Sequence, residues 1–294
     1  MTRPTLLVAY VSTPGGEDAV ALGVALARSL SADLDVCMVL PPQGPSEQVA
    51  APSNADYEDI LDEQAERWLA EAAAKIPGDV TARTRVAIHD QAASGLATEA
   101  ESTGCAAIIV GGSGGGIIGR HSLGSVVNEL LHVSTTPVVL TPRGIRESPE
   151  PIRRITCAVG RRPGTPPLLR ATLDTCERTG APLRLVSLVT DDDYIAPWRR
   201  DAHEETARVA AETRLTDVVA EARARLGDAY PIISTVVASR TTEDAVGSLD
   251  WSDGDFIFVG SSRLAQPLHL FFGATAAKML RALSVPMVVV PKGA

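Results

Sequence analysis

The strongest constraint on the fold is an internal repeat, in which four apolar segments of the first half fall on apolar segments of the second at one offset of 149 residues. In chain order the pairs are LLVAYV at 6–11 with TCAVG from 156, ADLDVCMVL at 32–40 with APLRLVSLV at 181–189, AAIIVG at 106–111 with DFIFVG at 255–260, and STTPVVLTP at 134–142 with LSVPMVVVP at 283–291. The last pair shares a proline, Pro137 and Pro286. One register kept across four segments indicates a duplicated domain.

The polar, proline-bearing segment PRGIRESPEPIRR at 142–154 joins the two copies. A chain of 294 residues is long enough for two domains that each bury a core. We therefore predict domains over residues 1–146 and 147–294. In each copy, short Val/Ile/Leu runs alternate with longer Ala-rich segments, which is typical of βαβ units around a buried parallel sheet.

The first copy shows the alternation of strands and helices in detail. Its pattern predicts strands near 5–10, 34–40, 82–88, 106–110 and 137–141. Helices are predicted between them, near 17–31, 55–76, 92–103 and 124–133. The expected fold class is therefore α/β.

Composition limits the function classes. A formal charge of −9 and a pI near 5.1 argue against a general nucleic-acid binder, because phosphate contacts need a basic face. No apolar run is long enough to span a membrane and the N-terminus has no signal-peptide pattern, so we expect a cytoplasmic protein. Four cysteines without C-x-x-C spacing lie in or beside apolar segments, and we interpret them as reduced thiols in or near the core.

A glycine-rich segment, GGSGGGIIGRHSLGS at 111–125, directly follows the apolar run AAIIV. A loop that leads from a buried parallel strand to a helix lies at the carboxyl edge of the sheet, where open α/β folds bind ligands. Glycines there let a ligand approach the main chain, and the free N–H groups of the next helix attract an anion. The alternative interpretation is a flexible surface loop that binds nothing.

The spacing of Gly111, Gly114, Gly124 and Ser125 fits the pattern G-x2-G-x9-G-[ST], and here the sequence resembles the universal stress protein family over essentially its whole length. The resemblance includes AAIIVGG before the loop, GRHSLGSVVNELL, the closing STTPVVL and the tandem arrangement. It implies two doubly wound domains, each with a five-stranded parallel sheet in the order 3-2-1-4-5. We expect the copies to pack about a pseudo-twofold axis through their last strands, VVL and MVVV, whose apolar edges would otherwise be exposed.

The resemblance also implies roles for individual residues. Gly111, Gly114 and Gly124 would allow close backbone approach, while the Ser125 hydroxyl and the Ser125 and Val126 N–H groups would hold phosphate oxygens. Val39, at the end of the second strand, would stand where the family's backbone meets the adenine. Apart from the resemblance, His121 in the loop could lean over a phosphate or could have no chemical role. Because no G-K-[ST] follows, the phosphates of ATP, with Mg²⁺, would be recognised by N–H groups and hydroxyls rather than by a lysine.

The chain departs from the family pattern in two respects. The aspartate that ATP-binding members carry after the first strand is replaced by Val11 in the first copy and Gly160 in the second. The second copy also has Arg263 and Ala274 where the first has Gly114 and Ser125. Arg263 could pair with an anion or simply be a solvated surface residue, and the second copy is interpreted as architectural.

The expected function, by resemblance, is a stress-response or signalling module that binds an adenine nucleotide in its first copy. The alternatives are a nucleotide-independent scaffold for a protein partner and a cyclic AMP binder, and a homodimer is compatible with each. No catalytic group is predicted, so any ATP hydrolysis should be slow. No metal site is predicted either, because neither His89–Asp90 nor the acidic run at 191–193 has complementary ligands at a recognisable spacing.

Overall fold

The computed structural model describes residues 3–42, 54–112, 124–160, 165–190, 200–261 and 273–292. The strands in these ranges are β1 (Thr5–Ala9), β2 (Asp33–Leu40), β3 (Ala82–Ile88), β4 (Ala107–Val110), β5 (Val138–Leu140), β6 (Arg154–Ala158), β7 (Leu183–Thr190), β8 (Ile232–Ser239), β9 (Asp255–Gly260) and β10 (Met287–Val290). The helices are α1 (Pro14–Leu30), α2 (Asn54–Ala74), α3 (Ala92–Ser102), α4 (Ser125–Val133), α5 (Thr165–Thr179), α6 (Arg200–Leu226), α7 (Thr242–Gly247) and α8 (Ala274–Ala282). A short 3-10 turn covers Ile145–Glu147.

All the described strands belong to one sheet, in the order β3-β2-β1-β4-β5-β10-β9-β6-β7-β8. Each half contributes five parallel strands in the order 3-2-1-4-5, which confirms the predicted fold class. The strand and helix limits predicted for the first half are also correct to within two residues, with one exception at the start of α1.

The two halves meet through their last strands, as the apolar edges of these strands predicted. β5 and β10 pair antiparallel, with Met287 opposite Leu140, Val288 opposite Val139 and Val289 opposite Val138. All six side chains are buried. Because the pairing is antiparallel, the halves are related by an approximate twofold axis, and their carboxyl edges point to opposite ends of the molecule.

Two layers of helices cover the two faces of this sheet. Buried side chains of α1, α2, α5 and α6 form one hydrophobic cluster with one face, and those of α3, α4, α7 and α8 form a second cluster with the other face. Each cluster contains strands of both halves, so the cores continue across the β5–β10 pair. Parallel strands buried on both faces explain the nearly unbroken apolar runs of the sequence.

Helix α1 begins three residues earlier than predicted, at Pro14 rather than residue 17. The Thr13 hydroxyl caps it by accepting a hydrogen bond from the Gly16 N–H at 3.3 Å, and proline suits the first helical position. The first turn of α1 is therefore Pro-Gly-Gly-Glu, a sequence that by composition alone is typical of a loop.

All four cysteines are free and buried, as predicted. Burial raises the pKa of the Cys37, Cys157 and Cys176 thiols to about 12, and it also raises the pKa of Cys105. Across the described residues, no helix combines the length and the apolar character needed to cross a membrane.

We expect none of these thiols to react with a thiol-specific reagent such as DTNB at pH 7.5 in the folded protein. The thiolate is the reactive species, and a raised pKa lowers its population while burial blocks access. Addition of urea should expose four titratable thiols per chain. Rapid labelling of any cysteine before unfolding would contradict this prediction.

Candidate functional site

The start of α4 is an open helix N-terminus at the carboxyl edge of the first half. Its cap residue Gly124 has φ −71° and ψ 167° and offers no side-chain hydrogen bond to the first turn. Ser125 is exposed, and Val126 is 39% exposed. The N–H groups of a first helical turn have no partner within the helix, so this end can accept an anion or water.

The turn that begins α1 packs directly on the residues that follow β4. A Cβ added to Gly111 would lie 1.9 Å from the Gly15 carbonyl oxygen, and one added to Gly15 would lie 2.2 Å from the Gly112 carbonyl oxygen. Real Cβ atoms do not approach an oxygen so closely, so both positions require glycine. The structure thus gives Gly111 a packing role, main chain against main chain, apart from any ligand.

The topology brings several predicted site residues to this same edge. Val39 is half-buried at the end of β2, Gly111 follows β4, and Ser125 and Val126 begin α4. Val11, which stands where the family has an aspartate, is 55% exposed after β1. The predicted residues Gly114, His121 and Arg263 lie outside the described residues, and their assignments stay predictions.

The corresponding edge of the second half has a similar helix end. Helix α8 begins at Ala274 after Gly273, whose φ of −69° and ψ of 163° nearly match those of Gly124. Among the described residues, the nearest atom to a Cβ on Gly260, the counterpart of Gly111, belongs to Leu168 at 3.7 Å, and Gly164, the counterpart of Gly15, lies outside them. The two helix ends therefore differ by the Ser125 hydroxyl.

A buried carboxylate on α1 holds the linker between the halves. Asp18 is 1% exposed and accepts hydrogen bonds from the Gly144 N–H at 2.9 Å, the Arg146 N–H at 3.1 Å and the Arg146 guanidinium at 2.9 Å. Gly144 has φ +79°, a conformation that favours glycine. Sequence reasoning did not identify Asp18, and the available signal was an acidic residue directly before the apolar run of α1.

Arg146 also reaches the first turn of α1. Its guanidinium donates to the Pro14 carbonyl oxygen at 3.3 Å and lies 3.7 Å from the Glu17 carboxylate. A hydrogen bond from Lys75 lowers the pKa of Glu17, so this carboxylate stays anionic beside Arg146. The arginine is therefore already occupied by two carboxylates and a carbonyl.

Among the described residues, no three His, Cys, Asp or Glu side chains cluster closely enough to bind a metal ion. A cavity of about 260 Å³ lies beside the linker and is lined by Arg143, Glu147 and Glu150, together with Asp253 and Ser284 of the second half.

Comparison with known proteins finds similarity to one family along almost the whole chain. The universal stress protein family matches twice, over residues 2–142 and 151–291. Universal stress proteins of Mycobacterium tuberculosis and Mycobacterium bovis are each 24% identical over 292 residues, which span 98% of this chain and 99% of theirs.

Two solved structures share the fold over nearly the whole chain. A universal stress protein from Archaeoglobus fulgidus matches over 100% of both chains, with a TM-score of 0.72 and 18% identity. A functionally unknown protein from Pseudomonas aeruginosa covers 99% of this chain and 94% of its own, with a TM-score of 0.56 and 16% identity. A universal stress protein crystallised with cAMP covers 49% of this chain and 100% of its own, with a TM-score of 0.35 and 22% identity.

We expect Asp18→Ala to destabilise the protein by about 2 kcal/mol, because two linker N–H groups and one guanidinium lose a buried acceptor. Urea unfolding followed by circular dichroism measures the change. Asp79→Ala is the matched control, since it removes an exposed ion pair to Arg28 near the other end of α1 and should leave the midpoint unchanged. Equal midpoints for both variants would show that the Asp18 contacts contribute nothing to stability.

Proposed function

Because this chain belongs to the universal stress protein family, we propose that it is a stress-response or signalling module whose first half binds an adenine nucleotide, most favourably ATP. The observation that carries this proposal is the start of α4, where Gly124 leaves the first turn without a side-chain cap and Ser125 is exposed beside it. A helix N-terminus carries partial positive charge, and its N–H groups suit phosphate oxygens. A serine hydroxyl adds one more donor.

The described residues favour binding of a nucleotide over its hydrolysis. Ser125, Val126 and the backbone at Gly111 and Gly124 would hold the phosphates, and Val39 would meet the adenine. Mg²⁺ would be carried by the phosphates, since the described residues form no metal-binding cluster. Because the described residues place no general base at this edge, we expect hydrolysis, if measurable, to be slow.

A nucleotide-independent scaffold for a protein partner is the second candidate, and two observations favour it. The main chains of Gly15 and Gly111 are in contact, and no carboxylate stands at position 11 to hold a nucleoside. Mass spectrometry of small molecules released from the purified protein separates the candidates. Release of an adenine nucleotide supports the first candidate, whereas no nucleotide, and no heat on titration with ATP, ADP, AMP or cyclic AMP, supports the second.

We predict that Gly124→Val abolishes ATP binding and that Ser125→Ala weakens it by ~1 kcal/mol, the net contribution of a typical hydrogen bond. In a calorimetric titration the second change is about a fivefold increase in Kd. Since Gly124 has ordinary extended backbone angles, valine fits its conformation and the fold should be retained.

The matched controls for this prediction lie in the second half. Gly273→Val changes the corresponding cap residue of α8, and it should leave the titration unaltered. Unchanged ATP affinity in both first-half variants would place the ligand elsewhere on the molecule.

We further predict a stoichiometry of one nucleotide per chain, bound in the first half. The helix ends of the two halves have nearly the same backbone angles, so the difference rests on Ser125 against Ala274 and on Gly114 against Arg263. An arginine attracts phosphate, which acts against this assignment, but its bulk restricts the approach of a ligand to the main chain. A stoichiometry near two, or binding that survives Gly124→Val and is lost in Gly273→Val, would reverse it.

A further inference from the structure

We propose that the first turn of α1 couples the backbone at Gly111 to the linker between the halves, so that a displacement after β4 changes the hold of Asp18 on Gly144 and Arg146. We call the contact set formed by Gly15, Asp18, Gly111, Gly144 and Arg146 the α1 relay. Its parts are contacts present in the structure without any ligand, so the coupling stands apart from nucleotide binding. Where the proposed function holds, the same relay would report occupancy of the nucleotide site.

The first step of the relay is the contact between two main chains. These backbones can lie so close only because Gly15 and Gly111 lack Cβ atoms. A Cβ built on Gly15 or on Gly111 would lie 2.2 or 1.9 Å, respectively, from the carbonyl oxygen that faces it. Packed backbone leaves no side chain that could change rotamer and absorb a shift. Movement of residue 111 must therefore move residue 15.

The second step is the stiffness of the turn itself. The Gly16 N–H donates to the Thr13 hydroxyl at 3.3 Å, and the Glu17 N–H donates to the Thr13 carbonyl at 3.0 Å. Proline fixes φ at position 14, and a Cβ on Gly16 would lie 2.0 Å from the Val11 carbonyl oxygen. The segment from Val11 to Asp18 consequently moves as one body.

The third step is the hold on the linker. Asp18 lies three residues after Gly15 and accepts all three of its hydrogen bonds from the linker residues Gly144 and Arg146. Arg146 also donates to the Pro14 carbonyl oxygen, so the linker is bonded to the same turn at a second point. A buried carboxylate that loses these donors is strongly disfavoured, so the linker follows the turn.

The last step is the contact of the linker with the second half. Near the end of the linker, the Ile152 N–H donates to the Ser29 hydroxyl at 3.0 Å, so the linker is held along α1 up to the start of β6. The linker also lines the 260 Å³ cavity, together with Asp253 and Ser284 of the second half. The linker is thus placed between α1 and the second half.

The relay belongs to the first half alone. At the offset of 149 residues, Pro167 stands where Asp18 would be, so the second half has no carboxylate at this position to hold a linker, and a Cβ on Gly260 would lie 3.7 Å or more from every atom of the described residues other than its chain neighbours. This asymmetry supplies a matched pair of substitutions, Gly111→Ala and Gly260→Ala. Only the first one forces the relay apart.

Hydrogen exchange of the ligand-free, full-length protein, resolved at single amides, tests the proposal. Gly111→Ala should speed exchange of the Gly144 and Arg146 N–H groups about tenfold relative to the amides of β3, which report the general stability of the same half. Gly260→Ala should leave both rates unchanged. Faster exchange at Gly16 and Glu17 with unchanged rates at Gly144 and Arg146 would overturn the proposal.

If Gly111→Ala does not fold, the coupling can be tested in the other direction, from the linker to the turn of α1. Coupling between two positions is reciprocal, so release of the linker by Asp18→Asn should also speed exchange at Gly16 and Glu17, within the turn of α1. Asp79→Ala, which removes an exposed ion pair to Arg28 of α1, should change neither. An Asp18→Asn effect confined to the linker amides would show that the turn and the linker move independently. Because no nucleotide is added, failure of this test leaves the proposed nucleotide site untouched, and failure of the titration leaves the relay untouched.

Discussion

The antiparallel pairing of β5 and β10 is the interaction on which the rest of the structure depends. Each of these strands ends a five-stranded sheet, and each is apolar on both faces, so an isolated half would present an unpaired edge to water. Pairing removes both edges at once and joins the helical layers into two continuous cores. It also turns the two carboxyl edges to opposite ends, so the two candidate sites cannot share one ligand.

The halves share a fold but not their buried polar chemistry. At equivalent positions of β2 and β7 stand residues of opposite charge, Asp35 and Arg184. Asp35 is fully buried and is bound by Arg83 at 2.7 Å and by Arg85 at 2.9 Å. Arg184 donates to the Thr156 hydroxyl at 3.0 Å and to the Asp250 carbonyl at 2.8 Å, and it lies over the Trp251 ring.

A buried charge is tolerated only with its own partners, so each half had to acquire a separate network around this position. By strand pairing, the counterparts of Arg83 and Arg85 in the second half are Ile233 and Thr235, which could not neutralise an aspartate. The halves are therefore not interchangeable, and the difference between their two carboxyl edges is one instance of a wider divergence.

The sequence predicted the features that repeat or alternate, and it did not reveal those that join distant positions. The duplication and the apolar runs were enough to predict the strands and the β5–β10 contact, and the family resemblance implied the strand order. The start of α1 was placed too late because Pro-Gly-Gly is typical of a loop, whereas the Thr13 cap and the packing of Gly15 make it helical. Asp18 meets Gly144 and Arg146 across more than a hundred residues, and no local pattern predicts such a contact.

The electrostatics of the first half bear on how it could recognise an anion. The chain carries a formal charge of −9, so long-range attraction does not favour a phosphate ligand. Arg146, a cation beside the first turn of α1, is neutralised by Asp18 and Glu17. What remains at this edge of the described structure is the start of α4, whose attraction acts only over about one helical turn. Recognition through such short-range donors requires their positions to be fixed, and the tight contact between Gly15 and Gly111 fixes the backbone on the strand side of the same loop.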